Sequence, residues 1–263
     1  MRLDVKNLLV GNYMSEYPIS VKPDVSFNTV ISFMVDRGFA TLIVMAEENP
    51  MPLGVLTERE ILRHVVSGEK SMDQRVKQTF IQPFVSVTPD TTVIEAARLM
   101  ISKRSRVLVF ADTNKLVGTI TASDMLRAFR ETGNVQSLEK VISTKVYHCP
   151  YDTTMLDAAN LLHEKNIGSI LILQDTVYGI FTQRDLVRAI AKGADLEDKV
   201  GKYSSFPLVT AEKGILANEA ADIMTKKKIK RLGLTEGGSL VGIVTARDIV
   251  DAYQMEMSQS LNS

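Results

Sequence analysis

Gly118-Thr119-Ile120-Thr121-Ala122-Ser123-Asp124-Met125-Leu126 reads as a glycine, a short apolar strand closing on a threonine, and an acid three residues into a following helix. Gly54-Val55-Leu56-Thr57-Glu58-Arg59-Glu60-Ile61-Leu62, Gly179-Ile180-Phe181-Thr182-Gln183-Arg184-Asp185-Leu186-Val187 and Gly242-Ile243-Val244-Thr245-Ala246-Arg247-Asp248-Ile249-Val250 repeat the pattern. The threonines stand 64, 61 and 63 positions apart. Four matches at near-constant spacing mark a repeat architecture.

Working outward, each copy has matching parts upstream. Pro89-Asp90-Thr91-Thr92-Val93-Ile94-Glu95-Ala96-Ala97 and Asp152-Thr153-Thr154-Met155-Leu156-Asp157-Ala158-Ala159 are polar starts followed by apolar residues at three and four spacing, which predicts a helix. A β-rich run follows (Thr41–Val44, Val107–Phe110, Ser169–Ile172, Arg231–Leu234), then a turn such as Asp112-Thr113-Asn114-Lys115, then the strand that ends at the repeated threonine. The second helix is expected to stop near Gly68, Gly133 and Gly193, since glycine suits a left-handed C-cap. The expected unit is strand, helix, strand, strand, helix, placed at 10–68, 72–133, 136–193 and 196–253, and the fold class is α+β. Three strands with helices on one face make a small core, so the units should pair. An alternation suggests how. The first and third copies start their second strand through Gly38-Phe39-Ala40-Thr41 and Ile167-Gly168-Ser169-Ile170, the second and fourth through Lys103-Arg104-Ser105-Arg106 and Lys228-Ile229-Lys230-Arg231. Thr57 to Thr182 is 125 positions and Thr121 to Thr245 is 124, so the larger unit is a pair present twice, 1–133 and 134–263.

Composition narrows the function. Across 263 residues, 45% hydrophobic and 24% charged is globular. Lys plus Arg and Asp plus Glu are 31 each, which leaves no long-range positive field to hold nucleic acid or an anionic membrane. Met1-Arg2-Leu3-Asp4-Val5-Lys6 has charges where a secretory signal needs an apolar core, and runs such as Ile170–Leu173 are too short to span a bilayer, so the expected location is cytoplasmic. Cys149 is the only cysteine, which excludes an intrachain disulfide.

The Thr-x-x-acid element has a structural and a functional reading. Thr at the N-cap with an acid three residues on is a capping box, and Thr57 with Glu60 fits it without a ligand. The other three copies carry Asp, which is shorter than the Glu or Gln that a capping box favours, and this favours a ligand. An acid at a helix start can accept ribose hydroxyls, while a Thr hydroxyl and helix N–H groups can meet a phosphate.

In the Thr-x-x-Asp element, the Gly-apolar strand before it, Asn166-Ile167-Gly168-Ser169 and the valine-rich strand between, the chain resembles the cystathionine-beta-synthase (CBS) domain family over nearly its full length. The resemblance implies four β-α-β-β-α CBS units paired into two Bateman modules, each with clefts for adenosine compounds: AMP, ADP, ATP or S-adenosylmethionine. Carried over, Asp124, Asp185 and Asp248 look like ribose ligands and Thr121, Thr182 and Thr245 like phosphate or ribose neighbours; Thr57 with Glu60 departs from the pattern, as a longer reach or an unoccupied cleft. The first strand of each unit (Ile19-Ser20-Val21, Val85-Ser86-Val87, Tyr147-His148-Cys149, Val209-Thr210-Ala211) matches the segment whose backbone contacts adenine in relatives, which marks Ser20, Val85 and Val209, with Ala40 and Ser169 at the second strand. Arg106, Lys230 and Arg231 are placed to neutralise phosphates, which suits a nucleotide better than S-adenosylmethionine, a cation at sulfur. Lys226-Lys227-Lys228 reads as a solvated helix end.

Other chemistry is thin. His64, His148 and His163 lack metal-ligand spacing and are expected in surface or packing roles; no metal and no catalytic cofactor is expected. Ser67-Gly68-Glu69-Lys70-Ser71 has only the tail of a phosphate-binding loop. Met34, Met100 and Met224 read as core filler. The leading expectation is an adenine-nucleotide sensor, not an enzyme, acting on a partner that the sequence does not name and self-associating into a disc-like assembly. The alternatives are a ligand-free assembly scaffold, an S-adenosylmethionine-binding regulator and, weakest, an enzyme.

Overall fold

The computed structural model describes residues 7–47, 51–68, 71–76, 78–111, 115–132 and 136–260, with side chains through 255 in the last helix. The Asp112-Thr113-Asn114 turn and the helix stop at Gly133 lie outside the described residues.

Each repeat folds as strand, helix, strand, strand, helix. The first has β2 (Ser20–Val21), α1 (Phe27–Asp36), β3 (Thr41–Val44), β4 (Gly54–Thr57) and α2 (Glu58–Val66), preceded by β1 (Ser15–Glu16). The second has β5 (Phe84–Val87), α3 (Val93–Ser102), β6 (Arg106–Phe110), β7 (Leu116–Ile120) and α4 (Ala122–Thr132). The third has β8 (His148–Pro150), α5 (Met155–Glu164), β9 (Ser169–Gln174), β10 (Val177–Thr182) and α6 (Gln183–Ala191); the fourth has β11 (Thr210–Glu212), α7 (Ala217–Lys227), β12 (Arg231–Glu236), β13 (Ser239–Thr245) and α8 (Ala246–Ser260). In every sheet the first strand runs parallel to the second and the second antiparallel to the third, so the short first strand is an edge; β1 makes the second repeat's sheet four-stranded.

Local chemistry starts and stops these helices. The hydroxyls of Ser26, Thr92 and Thr154 accept from the N–H three residues on, while Leu216 offers no such acceptor and Glu219 instead accepts from its N–H at 3.1 Å. Gly68 and Gly193 sit at φ 80° and 74° just past α2 and α6, as the sequence predicts. Buried pairs on the first helices, Val30-Ile31, Ala96-Ala97, Ala158-Ala159 and Ala220-Ala221, form one face in each repeat, and Met34, Met100 and Met224 lie buried beside them.

The chain divides into two compact units, neither of them continuous: residues 19–83 with 146–208, and residues 1–18 with 84–145 and 209–263. The first thus holds repeats one and three. There α1 packs on α6, and α2 on α5 and α6. Leu62 and Val65 join a cluster with Met155, Leu162 and Ile170, and Val187 joins one with Phe27, Ile31 and Ile61. The Arg184 guanidinium reaches Glu58 at 2.7 Å. The second unit holds repeats two and four, with α3 on α8, α4 on α7 and α8, and the Phe129 ring stacked on Tyr253 at 4.6 Å. Arg130 pairs with Asp222 there. Burial of one ring such as Phe129 contributes about 1.5–3 kcal/mol.

Within these units, each sheet is extended by the segment that leads into a neighbouring repeat. Ser15, ahead of the first repeat's own sheet, pairs with Thr119 of the second, and Val55 of the first exchanges both backbone hydrogen bonds with Gln82, which leads into the second. Likewise Ser143 exchanges both bonds with Ile243 of the fourth repeat, and Ser205 both bonds with Ile180 of the third. The first helices are met the same way, through bridges Leu9 to Thr92, Arg75 to Ser26, Lys199 to Thr154 and Ser137 to Leu216. Consecutive repeats therefore trade lead-ins. This explains the repeated glycine: a Cβ on Gly54 would lie 2.4 Å from the Gln82 carbonyl oxygen, on Gly118 2.8 Å from that of Ser15, on Gly179 2.5 Å from the Phe206 ring, and on Gly242 2.7 Å from Ile142.

Candidate functional site

The repeated corner sits where the third strand becomes the second helix. Strand register carries each threonine to the start of the second strand, with Thr57 opposite Thr41, Thr182 opposite Ser169 and Thr245 opposite Arg231. Ile120 lies opposite Val107, which sets Thr121 beside Arg106 at the strand ends. Ala40 lies in the bend just before β3, and Ser20, Val85 and Val209 lie in or beside the edge strands. An edge strand leaves one row of backbone N–H and C=O groups outside the ladder.

The acids behave alike in all four copies. The threonine N–H donates to the carboxylate at 2.8 Å for Glu60, 2.8 Å for Asp124, 2.9 Å for Asp185 and 2.7 Å for Asp248. In the first three the threonine hydroxyl also donates to the same oxygen at 2.7 Å. This corrects the argument from side-chain length: Asp closes the reciprocal cap as well as Glu does. The threonine backbone is extended in the Glu and the Asp copy alike, φ −130° and ψ 175° at Thr57 and φ −127° and ψ 164° at Thr182. The Asp for Glu exchange therefore carries no weight for a ligand, and such weight as the corner has must rest on its surroundings.

Those surroundings differ between copies. Glu60 is 1% exposed and Asp124 4%, whereas Asp185 and Asp248 are only partly buried. Asp124 has both oxygens engaged, Oδ2 by Thr121 and Oδ1 by the Arg127 guanidinium at 3.0 Å. Arg127 is itself held by the Tyr13 carbonyl at 2.9 Å. Burial pushes the Asp248 carboxyl above its ordinary value, against the pull of the Thr245 hydrogen bonds. Beside it Arg247 donates to the Met100 carbonyl at 2.6 Å, and burial followed by the charges of Arg106 and Arg104 holds its pKa below the ordinary value. Arg106 and Lys230 are exposed and Arg231 partly buried, so this second unit gathers cations about the Thr245 corner.

The remaining candidates are structural. His64 is 2% exposed, stacks on Phe27 at 3.9 Å and meets the Ser71 carbonyl at 3.0 Å, while His148 and His163 are exposed. The Cys149 thiol is buried, and burial pushes its pKa up, so it stays protonated. Among the described residues no group of His, Cys, Asp or Glu is placed to hold a metal, and no helix is long and apolar enough to cross a membrane.

The CBS domain family matches the sequence at residues 10–67, 76–131, 138–192 and 200–254, one stretch per repeat. The chain belongs to the CBS domain family. Among curated relatives, an uncharacterized protein of Methanocaldococcus jannaschii, MJ1404, is 24% identical over 95% of this chain and 62% of its own length. An uncharacterized 17.7 kDa protein of Acidianus ambivalens is 32% identical over 44% of this chain and 71% of its own. An inosine-5'-monophosphate dehydrogenase of Thermoplasma acidophilum is 31% identical, but the match spans 23% of that enzyme. Among solved structures, protein MJ1225 of M. jannaschii, described as an archaeal homolog of g-AMPK, superposes with a TM-score of 0.81 over 94% of this chain and 100% of its own at 15% identity, a likeness of fold.

Residues that sequence reasoning passed over now stand beside the CBS corners. Arg127 holds Asp124, and Arg247 meets the end of α3 from the fourth CBS repeat. The signal for Arg247 was present, since Arg59, Arg184 and Arg247 fill the same place in three repeats and Ser123 in the other. What they touch depends on which CBS repeats dock together.

Proposed function

We propose that this chain is a regulatory adenine-nucleotide-binding protein in which CBS corners take the ribose and phosphates of AMP, ADP or ATP, and in which occupancy alters the arrangement of modules or the affinity for a protein partner. The reading keeps consecutive repeats as the sequence pairs, 1–133 and 134–263, on the traded lead-ins. The observation that carries the proposal is the Thr245–Asp248 corner. Its carboxylate is partly buried and held by Thr245, ribose hydroxyls would be further donors to it, and Arg231, Arg106 and Arg247 bring charge for phosphates. That field disfavours S-adenosylmethionine. The proposed set is Ser20, Ala40, Thr57, Glu60, Val85, Arg106, Thr121, Asp124, Ser169, Thr182, Asp185, Val209, Lys230, Arg231, Thr245 and Asp248, with Asp185 and Asp248 ahead of Glu60 and Asp124 because their oxygens are less enclosed. Catalysis forms no part of the proposal.

Thermal unfolding with AMP, ADP, ATP or S-adenosylmethionine tests it. A nucleotide at a hundred times its dissociation constant adds about 2.7 kcal/mol to stability, and the expected gain disappears in Asp248→Ala. The complete caps favour a second reading, an assembly scaffold with internally satisfied corners. No stabilisation by any of the four ligands would establish that reading instead.

A further inference from the structure

In the second repeat the corner is tied to the segment that precedes the first repeat's sheet. Leu8 and Val10 anchor that segment: both are buried, the Val10 and Gly11 N–H groups donate to the Thr91 and Pro89 carbonyls, and the Val93 N–H donates to that of Leu8. Past the anchor, the Tyr13 carbonyl accepts from Arg127 Nη2 at 2.9 Å, and the same nitrogen lies 3.0 Å from Asp124 Oδ1. The Tyr13 hydroxyl donates to Glu131 at 2.5 Å. One guanidinium nitrogen thus bridges the segment and the corner, on the carboxylate oxygen that Thr121 leaves open.

The other repeats differ at these places. Backbone bonds set Leu8 against Val93 as Gln136 against Ala217 and Asp198 against Met155, and Ser15 faces Thr119 as Ser143 faces Ile243 and Ser205 faces Ile180. Tyr13 therefore corresponds to Val141 in the fourth repeat, where Asp251 and Met255 replace Arg127 and Glu131. In the third it corresponds to Tyr203, whose hydroxyl goes to Asp198 instead. In the first the place is taken by Phe80, with Arg63 5.0 Å over its ring. The repeat fold therefore does not require the tie. It is also displaceable. β1 adds only two residues to the sheet edge, both exposed, and Arg127 is 51% exposed, so its ion pair contributes little. Tyr17, 85% exposed, is held at φ 59°, a backbone conformation that a bulky residue resists.

We propose that Tyr13–Glu16 is an autoinhibitory strap between a buried anchor and a strained joint. Docked, it holds Arg127 on Asp124 and closes the second corner; lifted at Tyr17, it opens that corner to ligand. A ligand entering there releases the strap, and whatever holds the strap excludes the ligand. The proposal rests on the reading of the Thr–acid corners as nucleotide sites.

Calorimetric titration of the full chain with ADP, together with nitrogen-15 NMR of the Arg127 guanidinium, tests this. Gly118→Ala displaces the strap, because a Cβ there would lie 2.8 Å from the Ser15 carbonyl oxygen. Glu131→Ala removes the partner of the Tyr13 hydroxyl, and Arg127→Met removes the plug itself. Each variant is expected to bind one more ADP per chain than wild type, and Asp124→Ala added to any of them to abolish the extra site. Without ADP, the Arg127 signal should stand apart from that of free arginine in wild type and move toward it in Gly118→Ala and Glu131→Ala. Equal stoichiometry in wild type and all three variants, with ADP bound at Asp248, would overturn the proposal. So would an Arg127 signal that neither strap variant moves. If Gly118→Ala does not fold, Glu131→Ala, a change at an exposed residue, carries both readouts. No ADP binding by any of the proteins, with the Arg127 signal still moved, would remove the nucleotide reading and leave the strap's hold on Asp124 standing.

Discussion

At the scale of the residue, the repeated corner is first of all a helix cap. As a cap, the Thr-x-x-acid element recurs in every repeat, since the carboxylate accepts the threonine N–H whether it belongs to Asp or Glu. Asp124 shows how far this goes. Asp124 is 4% exposed, and its removal leaves the Thr121 N–H without its acceptor while the half-exposed Arg127 keeps the Tyr13 carbonyl, so Asp124→Ala should cost about 1–3 kcal/mol in chemical denaturation. A cost near zero would show that the corner is not needed for the fold. Asp248 differs, because burial raises its pKa. A carboxyl that holds its proton more tightly folded than unfolded loses native stability as pH rises from the ordinary 3.8 toward the raised native value. Asp248→Asn keeps an acceptor for the Thr245 N–H without the charge, so it should be at least as stable as wild type at neutral pH and lack that loss between acid and neutral pH. Asp248→Ala should lose about 0.5–2 kcal/mol as a missing cap. Thermal unfolding of the three proteins across pH distinguishes them; a less stable Asn variant with the wild-type slope would contradict the assignment.

At the scale of the element, the repeated glycine is explained by what crosses it. Gly54 has the Gln82 backbone where a Cβ would stand, while Gly38, at φ 72°, has nothing within 4 Å. Gly54→Ala should therefore displace the lead-in and cost about 1–3 kcal/mol as overpacking, and Gly38→Ala about 1 kcal/mol through its backbone conformation alone. Hydrogen exchange at Val55 and Gln82 would separate the two, because only Gly54→Ala breaks their paired bonds. The order of strands and helices in each repeat was legible from periodicity and turn residues. The lead-in exchange was not, because Gln82 and Ser143 carry no local preference for a strand and acquire one only against Val55 and Ile243.

At the scale of the whole molecule, the alternation of small and basic strand starts takes on a second meaning. It read as consecutive pairs, and the compact units join alternate repeats, so that the small starts of repeats one and three share one unit and the basic starts of two and four the other. The helical faces thus have partners far away in sequence. In residues 1–133 alone, Leu62 and Val65 would lose Met155 and Leu162, and Ala97 and Met125 would lose their neighbours from the fourth repeat. That fragment should self-associate in light scattering at micromolar concentration to cover them; a folded monomer would show that the helical faces need no partner.

By itself the sequence determined the repeat, its order of elements, the position of the corner and the family, because each rests on local chemistry: a period of 3.6 or 2, a cap, a glycine. Only the tertiary structure decided which repeats share a core, what covers each glycine, that Asp spans the cap as Glu does, that Arg127 occupies Asp124, and that Tyr13 meets Arg127 and Glu131. The shared cores, the covered glycines and the Tyr13 contacts depend on groups far apart along the chain, and the Asp cap and the Arg127–Asp124 pair on the backbone and rotamers of residues three apart.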